Sequence, residues 1–123
     1  MHKKLTVYIF TVFLFVIILS ACSTAIQHDQ IQFGILSAQN GLWDEAIFRW
    51  KKAIQHNPDS AAAHNNLAVA YENRGMWEEA QEEYQTALKL APKNNYIQAN
   101  FENFKKNLEA REKVQQEKKD EKK

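Results

Sequence analysis

The sequence predicts an all-α chain: two helix-turn-helix units stacked as a short solenoid, a capping helix behind them and a removable leader in front. Three observations carry that expectation. Residues 40–58, NGLWDEAIFRWKKAIQHNP, lie over residues 74–92, RGMWEEAQEEYQTALKLAP, when the chain is slid by 34 positions. Within each unit, apolar residues recur at helical spacing and are interrupted only by glycine and proline. After the second unit, Ile97, Phe101, Phe104 and Leu108 follow at steps of 4, 3 and 4, one stripe of a further helix.

The leader comes first along the chain. Residues 1–21 open with Lys3 and Lys4 and continue as an uncharged apolar run from Leu5 to Leu19, which has the length of a secretory core and falls short of a comfortable bilayer span. Its end, Leu19-Ser20-Ala21-Cys22, resembles the bacterial lipobox. That resemblance implies a lipoprotein signal peptide, cut before Cys22, with a diacylglyceryl group on the Cys22 sulfur and attachment to a membrane. Cys22 is the single cysteine, so no disulfide forms within one copy and no thiol remains for catalysis or metal binding once the sulfur is a thioether. Ser23 resembles the outer-membrane sorting choice of bacteria with two membranes, which implies a lipid-anchored chain facing the periplasm. Residues 22–29 then read as a short linker, and at about 3.6 Å per extended residue the seven that follow the cysteine reach about 25 Å.

The remaining composition is globular, with 25% charged and 45% hydrophobic residues over the whole chain. Without its leader the chain carries 14 basic and 15 acidic residues. That balance offers no electrostatic reason for nucleic acid as a partner.

The two units, about 27–60 and 61–94, each read as two helices. Gly41 and Gly75 mark the turns inside them and Pro58 and Pro92 close them. Asp59-Ser60 and Asn94 supply candidate N-caps for the helices that follow. Residues 95–108 read as the capping helix, and residues 109–123 as a charged, solvated tail that frays toward its end.

These residues resemble the tetratricopeptide repeat, whose pattern places Trp, Leu, Gly and Tyr on a first helix and Ala, Phe and Pro on a second. In the second unit Leu67, Ala68, Tyr71, Ala80, Tyr84 and Pro92 follow the pattern, and His64 stands where it prefers Trp. In the first, Phe33, Gly34, Ala46, Trp50 and Pro58 follow it, while Gln30 and Ser37 depart. The resemblance implies that Ala46 and Ala80 sit where the helices of a hairpin cross, that Trp50 and Tyr84 fill the gap between hairpins, and that Trp43 and Trp77 cover the hairpin ends. It also implies a concave partner groove along the first helices of successive units. By alignment that groove holds Ile31, Ile35 and Ala38, then Asn65, Val69, Glu72 and Asn73, then Ala99, Asn103 and Lys106, with Asn65 or Asn103 hydrogen-bonding the backbone of a bound peptide or helix. A chaperone-tail clamp does not fit, because Ile31 and Ile35 occupy the places of its lysine and asparagine.

Little speaks for catalysis. The histidines His28, His56 and His64 match no ligand spacing, Glu78, Glu79, Glu82 and Glu83 read as a solvated helix face, and no glycine loop could cradle phosphate. No enzyme activity, metal or cofactor is expected. Recognition remains, as a membrane-anchored adaptor in an envelope assembly of the pilus, secretion or outer-membrane type. The alternative is a structural envelope protein whose Lys-rich tail, with eight basic and five acidic residues from Lys105 to Lys123, holds cell wall or lipid.

Cys22→Ser is expected to block both acylation and lipoprotein-type cleavage. Mass spectrometry of the mature N-terminus reads this, and an unmodified mature chain starting at any other residue rules the lipobox out.

Overall fold

Each repeat folds where its glycine lets the chain turn. Gly41 and Gly75 have φ of 73° and 72°, a left-handed conformation that costs glycine nothing. Around each, the two hydrogen bonds of a Schellman motif close the preceding helix. Leu42 N–H donates to the Ser37 carbonyl (2.9 Å) and Gly41 N–H to that of Ala38 (2.9 Å), while Met76 N–H donates to Tyr71 (2.9 Å) and Gly75 N–H to Glu72 (3.0 Å). The helices that follow have no side-chain cap, but Asp44 and Glu45 in one and Glu78 and Glu79 in the other set negative charge against the first turn. At the far ends the steric demand of Pro58 and Pro92 pushes Asn57 (φ −143°) and Ala91 (φ −137°) out of the helical region. The next helices start on side-chain caps: Ser60 Oγ accepts from Ala63 N–H, and Asn94 Oδ1 from Tyr96 and Ile97 N–H.

The computed structural model describes the backbone of residues 2–121 and the side chains of residues 7–17 and 29–121. Among them are five helices and no strand: α1 (His2–Gln39), α2 (Trp43–His56), α3 (Ala61–Asn73), α4 (Trp77–Leu90) and α5 (Asn95–Asp120). Helices α1 and α2 form one hairpin and α3 and α4 the next; α2 packs on α3, and α5 lies over α4 and α3. Ala46, Ala53, Ala80 and Ala87 are completely buried where these helices meet.

Trp50 borders the space toward α3, with Asn66 and Val69, and also packs within its own hairpin. There it lies against Gly34 of α1, where an added Cβ would run into the indole. The missing side chain leaves a slot on α1, and the indole N–H, filling it, donates to the Ile31 carbonyl at 3.2 Å. Tyr84 sits between elements, with its ring centre 5.2 Å from that of Phe104 and 5.9 Å from that of Phe101. Phe104 also meets Trp77, at 5.9 Å. Beyond Leu108 the α5 seam gains one more place, because the Arg111 guanidinium rests over the Trp77 ring at 5.2 Å. Phe48 on α2 is half exposed.

Both ends of the chain differ from the expected boundaries. Helix α1 runs without a break through residues 22–29, since no glycine or proline interrupts residues 5–33. As helix, the seven residues after Cys22 span about 10 Å rather than about 25 Å. The Cys22 side chain itself lies outside the described ones. Helix α5 likewise continues to Asp120 through the charged tail, whose good helix formers and spaced pairs, such as Gln116 bonding Asp120, sustain an exposed helix. Among the described residues no helix is long and apolar enough to cross a membrane.

Phe104 is fully buried and touches both α4 aromatics, so Phe104→Ala is expected to cost about 3 to 5 kcal/mol. Val114→Ala on the exposed part of α5 should stay within about 0.5 kcal/mol. Urea unfolding followed by helicity distinguishes them, and equal effects would mean that α5 does not pack on α4.

Candidate functional site

A pocket of about 310 Å³ opens between the first helices of the two hairpins. Ile35, Ala38 and Gln39 come to it from α1, Trp43 and Trp50 from α2, Asn66 and Val69 from α3, and Tyr96 from the first turn of α5. Helical spacing explains the pairs: Ile35 with Ala38, and Asn66 with Val69, are three apart and share a face. The result is an apolar floor with two amides, Gln39 and Asn66, and an exposed tyrosine at one rim. No lining side chain is charged, so the pocket can offer apolar contact plus neutral donors and acceptors. That chemistry matches an apolar side chain and its adjoining peptide group.

Of the ten positions aligned to a groove, the structure brings Ile35, Ala38 and Val69 together in this pocket. Ile31 is half-buried beside it, with its carbonyl taken by Trp50. Asn73 is exposed and turns its amide back to the Val69 carbonyl (2.9 Å). Ala99, Asn103 and Lys106 are exposed on α5 and line no part of the pocket.

Asn65 and Glu72 need correction. Asn65 is 1% exposed and unavailable to a peptide, since its Oδ1 accepts from Asn100 Nδ2 at 3.0 Å. Glu72 accepts from Asn107 Nδ2 at 2.8 Å and from the Tyr84 hydroxyl at 3.1 Å. The reason is register. Asn65 and Glu72 are seven apart, as are Asn100 and Asn107, so both pairs meet on the seam between α3 and α5 two turns apart. Burial, with the Glu72 carboxylate beside it, pushes the Tyr84 hydroxyl well above the ordinary phenol range and keeps it a donor.

Sequence reasoning missed Gln39, Trp43, Asn66 and Tyr96. Asn66 stood one place from a residue aligned to the groove, and only knowing which face of α3 meets α5 separates the two. Tyr96 carried a signal in its own right, as an aromatic at the start of the cap outside the buried stripe.

Of the other candidate groups, His64 and Glu83 are committed to structure, His56 is exposed, and the His28 side chain lies outside the described ones. His64 is 8% exposed; its Nε2 donates to the Pro58 carbonyl at 2.8 Å and its Nδ1 lies 2.5 Å from a Glu83 carboxylate oxygen, which ties the proline turn to α4. Glu78, Glu79 and Glu82 are exposed. Among the described residues no three histidine, cysteine or acidic side chains are grouped to hold a metal.

Asn100→Ala leaves the buried Asn65 oxygen without its partner and is expected to cost about 1 to 3 kcal/mol. In a double-mutant cycle, Asn65→Ala with Asn100→Ala should cost clearly less than the two single losses added together. Strict additivity would show that this bond contributes nothing.

Residues 37–99 match the tetratricopeptide repeat family, a span that opens in the last turn of α1 and closes in the first turns of α5. The chain is also similar to the photosystem I assembly protein Ycf3 of Rippkaea orientalis, at 32% identity over 80 residues that cover 54% of this chain and 46% of that protein. It thus spans about half the length of this curated relative. With two glycine-turned hairpins, the alanine crossings and a match over half its length, the chain belongs to the tetratricopeptide repeat family and is a helical scaffold for protein–protein interaction.

Proposed function

We propose that this chain is a membrane-anchored adaptor, held by lipid on Cys22, that docks a partner of an envelope assembly in the pocket between α1 and α3. The observation that carries the docking is the pocket itself: it is open, apolar at its floor, uncharged in its lining and edged by the Gln39 and Asn66 amides. Such a surface takes an apolar anchor from a peptide or helix while the amides bond its backbone. The similarity to a protein named for the assembly of photosystem I supports assembly as the class of task. The lipobox-like end of the leader supports the anchor, on the outer membrane facing the periplasm where a cell has two membranes. Helix α1, continuous past residue 22, keeps the pocket close to the bilayer, so the partner is itself in or beside the membrane.

The test is a photocrosslinking residue at Tyr96, which is 67% exposed, compared with one at exposed Gln85 on α4. In intact cells position 96 should capture one membrane-associated protein that position 85 does not. Asn66→Arg should lower that capture about tenfold or more with helicity unchanged, as expected when a charge enters an interface core. Glu78→Lys with Glu82→Lys, on the outer face, should leave it intact. Capture from position 85 alone would move the recognition surface to the convex side.

A further inference from the structure

Among its asparagines the chain has one that is followed by glycine, Asn40-Gly41, and the structure sets that pair at the turn between α1 and α2. The pair carries a chemistry of its own. The glycine nitrogen can attack the asparagine side-chain carbon, since glycine has no side chain to obstruct the approach. As the Gly41 nitrogen gives its hydrogen to a base in the solvent, its bond to Asn40 Cγ forms, the Cγ–Nδ2 bond breaks, and Nδ2 leaves with that proton as ammonia. Water then opens the resulting five-membered imide at one of its two carbonyls. Opening at the side-chain carbon leaves aspartate. Opening at the main-chain carbon leaves isoaspartate, in which the chain runs through Cγ and is one carbon longer.

Two hydrogen bonds oppose the attack in the folded protein. Gly41 N–H is held on the Ala38 carbonyl at 2.9 Å, and Asn40 Nδ2 donates to the Leu36 carbonyl at 2.7 Å. The nucleophile thus keeps its hydrogen while the carboxamide is drawn back over the preceding turn, and neither is free to reach a reactive alignment. Burial does not protect the pair: both residues are exposed, and the space where a Gly41 side chain would begin is empty to 4 Å. Protection therefore lasts only while the end of α1 is closed, and helix ends are where local opening is easiest. The second hairpin supplies two comparisons. Gly75 closes α3 with the same pair of bonds but follows Arg74, which has no carboxamide. Asn73 makes the same kind of side-chain bond, to the Val69 carbonyl at 2.9 Å, but precedes Arg74, whose side chain hinders the attack.

We propose that Asn40-Gly41 is a one-way modification site guarded by the closed first turn. In the time that α1 and α2 spend apart there, Asn40 converts to isoaspartate and aspartate, and the isoaspartyl chain cannot remake the turn. The added main-chain carbon moves the two donors that close α1, Gly41 N–H and Leu42 N–H, off the Ala38 and Ser37 carbonyls. Gln39 and Trp43, on either side of the turn, both line the pocket, so the conversion falls on the candidate site itself. The first hairpin carries a permanent record of its own opening, and the second does not.

The experiment incubates the purified full chain at slightly alkaline pH, in buffer and in enough urea to abolish its helicity. Peptide mapping by mass spectrometry follows each asparagine, and labelling with isoaspartyl methyltransferase separates isoaspartate from aspartate. Conversion at Asn40 should be about tenfold or more slower in buffer than in urea, with Asn73 unconverted in both. Equal rates in the two conditions, or no conversion at Asn40 in urea, overturn the proposal. The isoaspartyl chain is then separated, refolded and read by amide hydrogen exchange, beside an Asn40→Gln chain carried through the same cycle. Gly41 and Leu42 should lose protection while Gly75 and Met76 keep it. Protection retained at 41 and 42, or lost alike at all four positions, overturns the assignment of the effect to the first turn.

Discussion

The contact of Phe104 with Tyr84, ring centres 5.2 Å apart, is the one on which the rest of the scaffold depends. A stack of only two hairpins would otherwise end in an open apolar face, since each unit of such a solenoid buries its core only against a neighbour. Helix α5 closes that face. Its apolar residues fill the space over α4, and Trp77, Tyr84, Phe101 and Phe104 form one aromatic cluster. Two polar rungs, Asn65 with Asn100 and Glu72 with Asn107, then set its register along α3. Apolar burial supplies attraction without direction, whereas the buried Asn65 amide and the half-buried Glu72 carboxylate are satisfied only in one alignment.

That alignment decides what the pocket is. With Asn65 and Glu72 turned to α5, the neighbouring stripe of Asn66 and Val69 is left facing α1, and Tyr96 comes to the rim. The groove therefore owes its uncharged lining to the cap, which draws Glu72 to its own seam. The same helix that completes the fold selects the chemistry offered to a partner.

The two ends of the stack are treated differently. The α4 end is sealed by protein, with Phe104 fully buried, while the α1 end keeps Phe33, Leu36 and Phe48 half exposed under cations.

Local chemistry in the sequence determined most of the fold. The 34-residue period, the left-handed glycines at 41 and 75, the prolines at 58 and 92, and the caps at Ser60 and Asn94 act through the backbone within a few residues, so each is legible without tertiary information. The alanines at the helix crossings are legible for a related reason, because only a small residue fits a close crossing wherever it recurs. The candidate site was legible only in part: Ile35, Ala38 and Val69 could be aligned to it, but Asn65 and Asn66 are adjacent asparagines of equal propensity. Which of them is buried depends on the direction from which α5 approaches α3. That direction is a long-range contact between residues 35 apart in the chain. How closely Trp50 approaches its own hairpin partner was likewise decided by the slot at Gly34 on another helix. Pattern assigned residues to helices; which face each helix turned to which neighbour was decided by packing, because a helix offers the same residue types to several neighbours and only their arrangement in space chooses among them.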